Sequence, residues 1–295
     1  MNLSSGSLVS ITSAFICFLH YAGVESPAIA HGELGEQITE VSRQIALDST
    51  NAELFLKRGE LHRYHRDWKL ALVDFDRANL LDSTLYAVDL GRGKTLFEGG
   101  WFMRAKVYLD RFLLRMPDNT EALLTRARVL RELGEYLAAA VDFSQALNST
   151  AEPRPEYYLE RARVLQSAGP EYLAAAISGI DDGIARLGQI VTLQLAAVDF
   201  ELQAGKHDSA LQRIAAIASQ SPRQEKWLFR RGEILIGAGR LPEAREAFQK
   251  ALIQIEKLPP RTRALRATIA LESQVRSALV ELEAELHKED RNGSS

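Results

Sequence analysis

Few side chains in this sequence are typed and spaced for chemistry. Gly91-Arg92-Gly93-Lys94-Thr95 has the ending of a phosphate-cradling loop. That motif needs a glycine five residues before its Gly-Lys-Thr, and Val88 stands there. The segment also reads as helix interior, where backbone amides are already used. His62 and His65, one helical turn apart in ELHRYHRDW with Glu60 nearby, could share a metal ion. Such a site needs three protein ligands, and His62 falls in a column where Leu96, Leu130, Leu165 and Leu235 stand elsewhere in the chain. A packed His62 beside an exposed His65 is therefore expected. His31 would be a competent chelate only as a processed N-terminus. There is no HExxH, GxSxG or CxxC, and the single cysteine, Cys17, has no partner for a disulfide or thiolate cluster. These residues predict no enzyme, no metal and no cofactor; a metal- or small-ligand-binding accessory protein using His31, His62 and His65 is the rival.

The overall charge points to no other class. A net charge of -3 over 295 residues marks neither a nucleic-acid nor an anionic-membrane binder. Leu8 to Val24 is apolar enough for a signal-peptide core, and Ala28-Ile29-Ala30 before a polar stretch has the small-x-small pattern of a cleavage site. Residues 1–30 are thus expected to be an export signal, with a periplasmic or extracellular product. Uncleaved, the segment would be a short membrane anchor, as in an anchored envelope-assembly factor.

The elements that would carry any site are read from small residues. Gly59, Gly93, Ala127, Ala162, Val198 and Gly232 recur in one column at intervals of 34 to 36 residues. Twelve residues on stand Ala71, Ala105, Ala139, Ala210 and Ala244; four further come Phe75, Leu109, Phe143, Ile214 and Phe248. Ala176, Ile180 and Gly183 supply the corresponding positions near Gly169-Pro170. Such offsets share a helical face, and small residues there let paired helices approach closely. Gly99-Gly100, Gly134, Gly205 and Gly239 separate paired helices; Asp82-Ser83, Pro117-Asp118, Pro153 and Ser221-Pro222 separate the pairs.

A helix-turn-helix unit of about 34 residues with these columns resembles the tetratricopeptide repeat. Six units are expected, at 52–85, 86–119, 120–154, 155–190, 191–224 and 225–258. A leading half-repeat at 31–51 precedes them, its helix at Glu36 to Leu47, and a capping helix with a polar tail follows at 259–295. The resemblance implies an all-α, right-handed superhelical solenoid that binds a protein or peptide non-catalytically in its concave groove. It also implies that first helices line that groove. Leu90, Leu124 and Leu159 would form an apolar row beside Lys94, Arg128, Arg131 and Arg163, suiting a partner with apolar and acidic side chains. The leucines could equally pack between neighbouring hairpins. Arginine precedes the small column in five units, and Asp74 and Asp142, sixteen residues after Arg58 and Arg126, are the expected ion-pair partners across each hairpin.

Overall fold

The computed structural model describes residues 27–293, with side chains from 32 to 287. The expected export signal lies outside the described residues as far as residue 26. Helix α1, Pro27–Leu47, crosses its expected end at Ala30 and begins well before the expected Glu36. Six helix pairs follow: α2 Ala52–Tyr64 with α3 Trp68–Leu81, α4 Ala87–Glu98 with α5 Phe102–Leu113, α6 Thr120–Glu132 with α7 Tyr136–Ser149, α8 Pro155–Ala168 with α9 Leu173–Leu187, α10 Val191–Gln203 with α11 His207–Ser219, and α12 Glu225–Gly237 with α13 Leu241–Glu256. A short α14, Pro260–Arg263, leads into α15, Arg266–Gly293. Among the described residues there is no strand.

Local sequence starts and stops these helices. The Asn51 side chain accepts from the backbone N–H groups of Glu53 and Leu54, and Asn119 accepts from that of Ala122 at 2.9 Å. These caps satisfy amides with no partner in the first turn. Pro155 opens α8, where its missing N–H costs nothing. Between paired helices the chain turns through positive φ at Gly100, Gly134, Gly205 and Gly239. In the first pair the same register position is Arg66, the only non-glycine with positive φ among the described residues, at 65°. Its Cβ makes that conformation costly. The fourth pair turns differently, through Gly169 and a short 3-10 segment at Pro170–Tyr172.

The small and large columns meet inside each pair. Ala71, Ala105, Ala139, Ala176, Ala210 and Ala244 are all fully buried, as are Phe75, Leu109, Phe143, Ile180 and Phe248. The core is a string of clusters along the array rather than one centre, as expected of stacked repeats. At the ends, α1 lays Val41 and Ile45 on the first cluster, and α15 lays Val275 and Leu282 over α13. The last hydrophobic face is thereby covered.

Arginine ties neighbouring pairs together. Arg58 donates two hydrogen bonds to Asp74, at 2.8 and 2.7 Å, and a third to Ser42 of α1. Arg126 repeats this with Asp142, at 2.7 and 2.8 Å, and with Asp110 of α5 at 2.8 Å. The hydrogen bonds to Asp142 are the main reason its guanidinium is held above its ordinary pKa. Arg92 reaches back to Asp76 and Arg161 to Ser144. Ser42, Asp76, Asp110 and Ser144 recur every 34 residues. Each arginine therefore latches its own pair to the helix before it, which fixes register between units.

The packing also sets the curvature. First helix α2 touches α4 and α4 touches α6, whereas α3, α5 and α7 make no comparable contact with one another. First helices thus line the inside of the curve and second helices splay on the outside.

Candidate protein-binding cleft

On that inner side α2, α4, α6 and α8 enclose a cleft of about 690 Å³. Its walls include Arg63 and Tyr64 from α2, Lys94 and Phe97 from α4, Glu121, Leu124 and Arg128 from α6, and Tyr157 and Glu160 from α8, with Arg154 at the rim. First helices can present these residues because the small columns turn their opposite faces toward α3, α5, α7 and α9.

The charges in and beside the cleft are paired, several of them across units. Arg128 donates to Glu160 twice, at 2.8 and 2.7 Å, which raises its pKa against the effect of burial. Arg131 lies 3.7 Å from Glu160 and donates to Glu132 at 2.8 Å. Lys94 sits between Glu121 at 2.6 Å and Glu60 at 3.8 Å. Arg63, buried, donates to Glu60 and Glu98, and its guanidinium lies 4.2 Å from the Tyr64 ring centre. The cleft is therefore zwitterionic, with Tyr64, Phe97 and Tyr157 as its aromatic surface.

Three of the seven residues expected from sequence, Lys94, Leu124 and Arg128, line this cleft; Leu90, Arg131, Leu159 and Arg163 do not. Leu124 is only 5% exposed, and Leu90 and Leu159 pack against its cluster. This leucine row fills the space between hairpins. Arg163 is exposed. Glu160 and Glu121 change the character of the basic row and were not expected. Their signal was a carboxylate 27 to 32 residues from each base, legible only once facing helices are known. Tyr64 and Tyr157 carried no signal beyond their type.

The other chemical candidates are placed as well. Gly91 to Thr95 lies inside α4, where the Thr95 hydroxyl donates to the Gly91 carbonyl at 2.8 Å. His62 is buried, 3.7 Å from Asp74 and 3.8 Å from Asp67, and burial lowers its pKa. His65 is half-buried, with Nδ1 2.8 Å from Asp67. Among the described residues no group of three His, Cys, Asp or Glu side chains could hold a metal ion. The His31 side chain lies outside the described set.

Comparison with known proteins agrees with this architecture. A family model described as tetratricopeptide repeat-like domain matches residues 165–269, and one described as tetratricopeptide repeat matches residues 90–155. No curated protein matches the sequence. Among solved structures, a tetratricopeptide repeat protein from Parabacteroides merdae ATCC 43184 is similar at 17% identity and a TM-score of 0.50, over 86% of this chain and 94% of that one. PilF of Pseudomonas aeruginosa gives 17% and 0.51, over 66% and 87%. PilW, a type IV pilus biogenesis factor, gives 16% and 0.52, over 68% and 93%. At such identities the likeness concerns the fold alone. The two matched segments, with the paired helices and their small-residue columns, show that the chain belongs to the tetratricopeptide-repeat family.

Proposed function

We propose that this protein is an exported, non-catalytic scaffold that holds an extended segment of a partner protein in the cleft formed by α2, α4, α6 and α8. Binding protein or peptide partners is the general work of the family. The observation that carries the specific reading is the composition of the cleft: four successive first helices supply it, and it offers aromatic faces and fixed charges of both signs. Such a surface suits a segment with an apolar or aromatic side chain for Tyr64, Phe97 and Tyr157 and carboxylates for Lys94 and Arg128. The pairing of Arg128 with Glu160 means that an acidic partner must compete for a base already engaged.

The test is co-purification from intact cells with wild type and with Tyr64→Ala/Tyr157→Ala, using circular dichroism to establish that both fold. Loss of partners from the folded double variant supports the cleft; unchanged recovery refutes it. Export rests on residues 8–30 of the sequence, and no helix among the described residues is long and apolar enough to cross a membrane. N-terminal sequencing of the mature protein should begin at His31; a chain starting at Met1 in the membrane fraction would make the segment an anchor.

A further inference from the structure

The outer side of the array is not uniform. Two residues after the buried alanines, where a helix points directly away from its partner, the first three units carry Val73, Val107 and Val141. The next three carry Ser178, Gln212 and Glu246 there. Beside the valines stand Leu70, Met103 and Leu137, and all six side chains are between 46% and 66% exposed. An apolar patch of this kind, confined to three adjacent helices, calls for a partner.

Its charge says which kind. Lys69 on α3 and Arg104 on α5 border the patch and are exposed, and Arg66 adds a third base at the turn before α3. The neighbouring acids are committed elsewhere, Asp67 to His65, Asp76 to Arg92, Asp110 to Arg126 and Glu135 to Lys106. A second copy fits poorly, because face-to-face pairing would bring two sets of Arg66, Lys69 and Arg104 together with no uncommitted acid to offset them. Exposed aliphatic side chains beside bases that make no ion pair among the described residues fit an interface with acyl chains below and anionic headgroups around it. We propose that the splayed outer faces of α3, α5 and α7 dock on an anionic lipid surface. The cleft is left open on the opposite side, so the proposal is independent of what that cleft binds.

The test uses the full chain with Cys17→Ser, carrying a nitrobenzoxadiazole label at Val107→Cys or, as control, at Gln212→Cys in the same register. Vesicles are phosphatidylcholine with or without phosphatidylglycerol. The label at 107 should shift to the blue and be quenched by brominated acyl chains on the anionic vesicles only, and the label at 212 should do neither. This readout is local, so the apolar segment at 8–24 does not produce it. Adding Lys69→Gln and Arg104→Gln should lower partitioning about thirtyfold, each base near an anionic surface being worth about fivefold. An unchanged label at 107, or equal responses at 107 and 212, overturns the proposal. A blue shift at 107 that grows with protein concentration in the absence of lipid also overturns it, and makes the patch a self-association face.

Discussion

Gly232→Ala tests the close approach on which each helix pair depends. A Cβ built on Gly232 would lie 2.2 Å from the Phe248 ring. That ring is fully buried, so it cannot swing aside into solvent. Overfilling such a contact costs about 1–3 kcal/mol, while alanine returns about 1 kcal/mol of helix propensity. The net expectation is about 1 kcal/mol of destabilisation. Gly35 in α1 provides the control, because a Cβ there meets nothing within 4 Å. Gly35→Ala should therefore gain the propensity term alone, about 1 kcal/mol of stability. Thermal unfolding followed by circular dichroism reads both, at roughly 2–4 °C per kcal/mol. The two variants should move in opposite directions. Equal upward shifts would mean that the small column is not a contact surface, and the packing argument would fail.

Three further outcomes follow from particular residues. Arg66→Gly should stabilise the protein by about 1 kcal/mol, because it removes a Cβ from a left-handed turn that glycine serves in other pairs; an unchanged or lowered melting temperature contradicts this. His62→Leu should also stabilise, by about 1 kcal/mol at neutral pH, since it puts the leucine found at Leu96 and Leu235 in place of a buried Nδ1 that makes no hydrogen bond. Burial depresses the folded-state pKa of His62, so unfolding takes up a proton below the unfolded value of about 6.5. Wild-type stability should therefore fall as pH drops through that value, and the advantage of the variant should widen in melts between pH 7 and 5.5. Arg126→Met should cost about 3 kcal/mol in urea unfolding because it leaves Asp142 buried without its partner, and adding Asp142→Leu should restore most of it.

The fold was legible because a repeat writes its packing contacts many times over. Ala71, Ala105 and Ala139 reveal a close-packed face that any one of them would hide. The ion pairs Arg58–Asp74 and Arg126–Asp142 were legible too, since both partners lie within one hairpin. What escaped depends on geometry between hairpins. Nothing in the alignment says that Glu160 folds back on Arg128, because 32 residues separate them and only the stacking of α6 and α8 brings them together. The row from Leu90 to Leu159 could line a groove or fill a seam, and the tightness of stacking decides between them. Arg66 was missed as a turn because arginine carries no turn signal, and neighbouring structure imposes its positive φ.

The central claim is that partners enter from the inner side of the curve. A photo-crosslinking amino acid placed at Tyr157, on the wall of the cleft, and separately at Gln212, on the outer side of α11, tests it in intact cells. Crosslinked partner protein is predicted from position 157 and none from position 212. Adducts from 212 with none from 157 would contradict the assignment of the cleft.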